Sequence, residues 1–131
     1  MSQENVEIVR RQFDAWNAGD MDALRASYDP DHVLRMPEGW PEPGPYVGRE
    51  ETMRQWVQQR ETWDADVLEP MSDFIDAADR VVLRFHWRTA GHGPDSEIEL
   101  TGVYTVRKQR VVYTEFFWDH AEALETLGLS E

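Results

Sequence analysis

The sequence predicts an α+β fold in which helices pack on one side of a curved, mostly antiparallel sheet. In the first half of the chain, apolar residues recur at three- and four-residue steps, which is the spacing of amphipathic helices. The second half alternates apolar with polar residues between turn signals, which is typical of strands. The 131 residues fit one domain, residues 1–131, long enough to bury a core without disulfides.

The first helix is predicted over residues 4–18. Val6, Val9, Phe13 and Trp16 recur at helical spacing and form one apolar stripe. The residues before this stripe are polar and acidic, with no cationic stretch and apolar run, so no secretory signal is expected.

The stretch "NAGD" ends this helix and begins a second one. Gly19 suits the left-handed position after a helix, and Asp20 is a typical N-cap. The second helix is predicted over residues 20–29, with Pro30 as its stop. A short strand over residues 32–36 follows.

The stretch "MPEGWPEPGPYVG" is predicted as a loop, because its four prolines oppose regular structure. This loop is either a lid over an opening or a rigid connector. A third helix follows Gly48, with Glu50 and Glu51 in its first turn and Met53 and Trp56 on its buried side.

The rest of the chain is predicted to form the sheet and a short closing helix. Pro70 implies a bulge or an edge position in the first of these strands. Asp119 and Glu122 have the spacing of a capping box, and Gly128 ends the closing helix. The predicted strands cover residues 66–75, 80–89, 97–107 and 110–118.

Composition excludes several classes of function. The formal net charge of −13 repels phosphate backbones and anionic lipids, so nucleic acid and membranes are not expected partners. The chain has no cysteine, which excludes disulfides, thiolate metal sites and a cysteine nucleophile and suits a reducing cytoplasm. No phosphate loop or dinucleotide fingerprint occurs, so no cofactor is expected.

The four histidines do not have the spacing of metal ligands, and no metal site is expected. His86 is expected on the outer sheet face, and His32 near the mouth of a pocket. The histidines lie at positions 32, 86, 92 and 120.

The last strand, "RVVYTEFFW", is apolar on both faces. Val111, Tyr113 and Phe117 are expected on the outer face, which the helices do not reach. A second copy of the chain is the simplest cover, so a homodimer through the outer sheet face is predicted.

Three stretches together resemble the SnoaL-like group of the NTF2-like superfamily: "VRRQFDAWNAGDMDALRASYDPD", "YVGREETMRQWV" and "VVYTEFFWDHAEALETLGL". The resemblance implies a cone-shaped barrel in which three N-terminal helices close over a curved sheet and leave a pocket. It does not imply one activity, since members include steroid isomerases, polyketide cyclases, epoxide hydrolases, dehydratases and proteins with no known reaction.

The steroid isomerase pattern transfers poorly to this chain. Its hydrogen-bonding tyrosine falls on Gln12, its base aspartate on Met36, and its second acid on Gly102. Methionine and glycine neither shuttle a proton nor donate one to an oxyanion, so steroid isomerisation by that route is not expected.

The resemblance also implies which residues line the pocket. The ligand is expected to be a small apolar molecule, polycyclic or terpenoid-like. Two alternatives stay open: an enzyme of cyclase, hydrolase or dehydratase type that uses Gln12 and Tyr104, and a structural dimer whose pocket is filled by its own side chains. The expected ligand-binding residues are Gln12, Trp16, Met36, Trp56, Phe85, Trp87, Tyr104, Thr114, Phe116 and Trp118.

Overall fold

The computed structural model describes residues 2–40, 44–63, 66–71, 73–89 and 97–128, and in these ranges it contains four helices and seven strands. The helices are α1 (Ser2–Ala18), α2 (Met21–Ala26), α3 (Arg49–Trp63) and α4 (His120–Thr126). The strands are β1 (Tyr28–Arg35), β2 (Tyr46–Val47), β3 (Asp66–Pro70), β4 (Ile75–Ala77), β5 (Arg80–Thr89), β6 (Glu97–Arg107) and β7 (Arg110–Phe117).

The strands form one sheet in the order β2-β1-β7-β6-β5-β3, and β4 also pairs with β5. All described pairs are antiparallel except β1 with β7. Helices pack on a curved, unclosed sheet, which confirms the predicted α+β class. The sheet face toward α1 and α3 is called the inner face below, and the opposite face the outer face.

Helix α1 places its apolar stripe on the inner face. Val9, Phe13 and Trp16 are buried, as their spacing predicts. Gly19 has a φ of +75°, a left-handed conformation that glycine adopts without strain. The Asp20 carboxylate accepts a hydrogen bond from the backbone N–H of Ala23 at 3.0 Å, which confirms the predicted cap of α2.

Strand β1 begins four residues before its predicted start, and α2 is correspondingly short. The Ser27 carbonyl accepts a hydrogen bond from the backbone N–H of Val111 at 2.9 Å, which joins the chain to β7 at this point. The β1–β7 register shifts between Tyr28 and Val33, and this irregularity accommodates Pro30 inside the strand.

Two further predicted boundaries were wrong. The strand predicted over residues 66–75 ends at Pro70, and a separate strand, β4, begins only at Ile75. β3 lies at the sheet edge, as Pro70 predicted. The proline-rich loop contains β2, in which Tyr46 pairs with Leu34 of β1.

The outer face is covered differently from the prediction. Val111 belongs to the inner core, because the β6–β7 register shifts and leaves Val112 unpaired. Phe117 packs beside the cluster that α4 forms with Val82 and Val103. The chain itself therefore buries Val111 and partly covers Phe117, whereas Tyr113 stays partly exposed, and the dimer itself stays a prediction.

Candidate functional site

A cavity of about 40 Å³ lies between α1, α3 and the inner sheet face. This volume gives room for about three water molecules. Aromatic and aliphatic side chains form most of its wall, and none of the described lining residues carries a charged side chain. The lining residues are Gln12, Phe13, Trp16, Leu24, Tyr28, Trp56, Leu68, Phe85, Trp87, Tyr104 and Phe116.

The aromatic wall is packed edge to face. The ring centroid of Trp16 lies 6.0 Å from those of both Trp56 and Trp87, at interplanar angles of 75° and 86°. Phe85 contacts Phe13 in the same manner, with centroids 5.2 Å apart. This geometry is the favourable one for aromatic pairs and fixes the shape of the wall.

Gln12 faces the cavity but already has a partner. Its Nε2 donates to Ser27 Oγ at 2.7 Å, and Ser27 Oγ donates to the Leu24 carbonyl at 2.5 Å. This chain of bonds joins α1 to the end of α2. The amide is therefore oriented by the protein before any ligand binds.

Two buried tyrosines supply hydroxyl groups to the wall. Tyr28 Oη accepts a hydrogen bond from Trp56 Nε1 at 2.9 Å. Burial raises the pKa of both Tyr28 and Tyr104, because an ionised phenol loses its hydration there. Both hydroxyls therefore stay protonated at neutral pH and act as donors rather than bases.

Gly102 makes room for the Tyr104 side chain. A Cβ at position 102 would lie 2.6 Å from Tyr104 Oη and 2.7 Å from the ring carbon Cζ. Any side chain at this position would displace the Tyr104 ring. The glycine that occupies the place of the isomerase acid therefore has a packing role in this chain.

Two indole N–H groups of the wall have no hydrogen-bond partner among the residues that the structure describes. Trp16 and Trp87 are 3% and 6% exposed, and the Nε1 atom of each is enclosed without an acceptor. Indole donates and does not accept, so each lost bond costs free energy. These are the unsatisfied polar atoms of the site.

His32 lies behind the wall, fully buried, and not at a pocket mouth as predicted. Its Nδ1 and Nε2 hydrogen-bond the hydroxyls of Thr52 and Thr114, each at 2.8 Å. Its ring also contacts Tyr28, with centroids 4.4 Å apart. Burial lowers the pKa of His32 from 6.5 to about 3, against a smaller raising effect of Asp29, so the imidazole is neutral at pH 7.

The structure brings most of the predicted site residues to one cavity, although their role in ligand binding stays a prediction. Those that line it are Gln12, Trp16, Trp56, Phe85, Trp87, Tyr104 and Phe116. The other three predicted residues lie elsewhere. Thr114 is engaged by His32, Met36 is buried beside an outer groove, and Trp118 lies beyond the end of β7 with 47% exposure.

Four lining residues were not among the predicted site residues: Phe13, Leu24, Tyr28 and Leu68. Phe13 lies on the same helical stripe as Trp16, and that spacing is a signal for it. Tyr28 was assigned to the second helix, and only the true start of β1 turns it toward the cavity. Nothing in the sequence distinguishes Leu24 and Leu68 from ordinary core residues.

The proline-rich loop contributes Trp40 near the cavity. Trp40 lies parallel to Trp87, with an interplanar angle of 6° and centroids 6.4 Å apart. Trp118 Nε1 donates to the Glu38 carbonyl at 2.7 Å and fastens this end of the loop. The prediction of a lid also involves residues 41–43, which lie outside the described residues.

The described residues contain neither a metal ligand set nor a membrane-spanning helix. No three histidine or carboxylate groups converge there as a metal ligand set would, and no helix is long and apolar enough to cross a membrane. His86 Nε2 lies 3.7 Å from Glu99 on the outer face, and His120 contacts Thr101. His92 lies outside the described residues.

Comparisons with known proteins agree with this geometry. The SnoaL-like domain family matches residues 9–114. Among solved structures, Bal32a from a soil-derived mobile gene cassette is similar, with 21% identity, 88% of each chain covered and a TM-score of 0.79. An NTF2-like protein of unknown function from Burkholderia pseudomallei has 23% identity over 95% of this chain and 97% of its own, with a TM-score of 0.75.

A third solved structure is a candidate polyketide cyclase from Sinorhizobium meliloti. It has 27% identity over 88% of this chain and 98% of its own, with a TM-score of 0.71. No curated protein matches the chain. The likenesses under 25% identity support the fold alone.

Proposed function

We propose that this chain, which belongs to the SnoaL-like domain family, binds a small, uncharged, largely apolar molecule in the inner cavity. The observation that carries the proposal is the composition of the cavity wall. It joins aromatic and aliphatic surface with a few neutral polar groups, which is the usual construction of small-molecule sites.

Charge supports the same class of ligand. No carboxylate, amine, guanidinium or imidazole is among the lining residues that the structure describes, so a charged ligand would lose its hydration without gaining a counter-charge there. The net charge of −13 further disfavours anions. A neutral molecule avoids both costs.

Size limits the ligand. A polycyclic or terpenoid compound needs several hundred cubic ångströms, roughly 300 or more, whereas the cavity has about 40 Å³. Such a ligand would require the side chains of the cavity wall to move apart. A compound of one small ring demands less movement.

A cyclase-type enzyme is the second candidate, and the likeness to the Sinorhizobium meliloti protein favours it. Gln12 and Tyr104 both line the cavity, as this alternative requires. Against it, Tyr104 stays protonated and Gln12 already donates to Ser27, so neither supplies a base. The filled-pocket alternative corresponds to a cavity that admits water alone.

The test is thermal unfolding with three single-ring probes of similar size: neutral toluene, cationic benzylammonium and anionic benzoate. We expect toluene alone to raise the melting temperature, because only a ligand that binds the folded state stabilises it. Gly102→Ala should abolish this rise, since the added Cβ pushes the Tyr104 ring out of its place. Arg107→Gln, at an exposed position of the same strand, is the matched control.

Two results would count against the proposal: equal stabilisation by all three probes, or a toluene effect that Gly102→Ala leaves unchanged. A bound candidate substrate followed over time by NMR separates the second candidate from the first. New product signals would indicate catalysis, and an unchanged ligand would indicate a binding protein.

A further inference from the structure

We infer that the ligand of the inner cavity carries an uncharged hydrogen-bond acceptor, such as a ketone, ester or ether oxygen, and that the indole N–H groups of Trp16 and Trp87 bind it. This inference rests on the proposed function and names the chemistry of the ligand. It starts from the two enclosed donors that have no partner in the described part of the chain.

Two other indoles of the chain show that such donors are exceptional here. Trp56 Nε1, in the same wall, donates to Tyr28 Oη, and Trp118 Nε1 donates to the Glu38 carbonyl. Arg49 Nε is the third enclosed atom without a hydrogen bond, yet it lies 3.5 Å from a Glu50 oxygen. Within the described residues, the two indoles of the cavity therefore stand apart.

The polar groups of the wall favour donation over acceptance. An indole N–H only donates, and the Tyr104 hydroxyl keeps its proton at neutral pH, because burial raises its pKa, and can donate it. The Tyr28 oxygen already accepts from Trp56. A ligand with an exposed acceptor gains bonds from these donors, whereas a ligand that only donates is left with Gln12 Oε1 and the Tyr104 oxygen as acceptors.

Two other fates of these N–H groups compete with a ligand. Water can fill the cavity and accept from them, since there is room for about three molecules. The interplanar angle of 86° between Trp16 and Trp87 also allows an N–H to point at the face of a neighbouring ring, which is a weaker bond. An acceptor atom of the ligand would take the place of the water or of the ring face as the partner of the N–H group. This change of partner can be measured.

The experiment compares two molecules of equal shape, cyclopentanone and methylenecyclopentane, which differ in having a C=O or a C=CH2 group. The full-length chain is labelled with ¹⁵N, and the indole N–H signals of its six tryptophans are followed by NMR during each titration. Trp16→Phe and Trp87→Phe assign two of these signals and remove one donor each while keeping an aromatic ring.

We expect the ketone, and not the hydrocarbon, to move the Trp16 and Trp87 indole protons downfield. The ratio of ketone affinity to hydrocarbon affinity should fall about fivefold in each Phe variant, the effect of one neutral hydrogen bond. Trp118→Phe is the control, because its indole lies outside the cavity and already has an acceptor. Its affinity ratio should equal that of the wild type.

If both probes bind and the ratio is the same in all variants, the acceptor inference is wrong while the proposed function stands. If neither probe binds up to the limit of its solubility, the proposed function fails and the inference with it. Should a Phe variant not fold, the wild-type spectrum decides: the ketone must shift two more indole protons than the hydrocarbon does.

Discussion

The two faces of the sheet differ in the surroundings of their side chains, and strand β5 contributes residues to both faces. Phe85 and Trp87 point to the inner face, where they are buried among other rings. Arg84 points to the outer face and forms an ion pair with Glu99, with an N–O distance of 2.6 Å. His86, two residues on, lies 3.7 Å from the same Glu99.

This difference separates what stabilises the fold from what is available to a ligand. On the outer face, charged groups find partners within the chain and α4 covers much of the apolar surface. On the inner face, the described residues that line the cavity carry neutral polar atoms, and two of these atoms have no partner within the described ranges. A small molecule can therefore form new hydrogen bonds with the polar atoms of the inner face, whereas the charged groups of the outer face already have partners.

The largest expected effect tests whether packing on the inner face stabilises the fold more than the ion pairs on the outer face do. Phe85→Ala removes a fully buried ring that contacts Phe13 and Phe116, so the free energy of unfolding should fall by about 3–5 kcal/mol. Arg84→Ala on the opposite face of the same strand should cost less than about 1 kcal/mol. Chemical unfolding of both variants measures the two losses, and equal losses would contradict the contrast.

Much of the fold was predictable because it depends on local patterns. The stripe of α1, the cap at Asp20 and the alternation along β5 each specify a structure from residues close in sequence. The wrong predictions concern residues whose conformation depends on partners that are distant in the sequence. Tyr28 became a strand residue because it pairs with Val111, which no local pattern reports.

The site was predictable only in part for the same reason. Alternation and helical spacing identify residues that point inward, but they do not separate a cavity wall from solid core. Thr114 points inward as expected, yet His32 meets it across 82 residues of sequence and removes it from the wall. The missing partners of Trp16 and Trp87 are likewise a property of the whole fold, which spacing alone does not reveal.

A second prediction concerns His32, a polar group behind the inner wall that is fully satisfied within the chain. The unfolded chain takes up a proton near pH 6.5, whereas the folded imidazole stays neutral down to about pH 3. The contribution of His32 to stability is therefore complete above pH 6.5 and is lost as the pH falls toward 3. Between these two pH values the loss approaches about 1.4 kcal/mol for each pH unit.

His32→Asn isolates this contribution from the many carboxylates of the chain. Both proteins share those carboxylates, so the difference between their free energies of unfolding depends on His32 alone. We expect the advantage of the wild type to shrink steadily between pH 6 and pH 4 in urea unfolding followed by tryptophan fluorescence. A difference that stays constant over this range would mean that the folded protein protonates His32 as readily as the unfolded chain.

The smallest expected effect belongs to the outer-face pair of Arg84 and Glu99. Their side chains are 41% and 38% exposed, so water and salt screen the attraction even at a distance of 2.6 Å. A double-mutant cycle with Arg84→Ala and Glu99→Ala should give a coupling of about 0.2–1 kcal/mol that decreases in 1 M salt. A coupling of several kcal/mol that resists salt would mean that another molecule shields this face from water. Such shielding is what the predicted homodimer would produce, so the weakest interaction considered is also the one that reports on the untested partner.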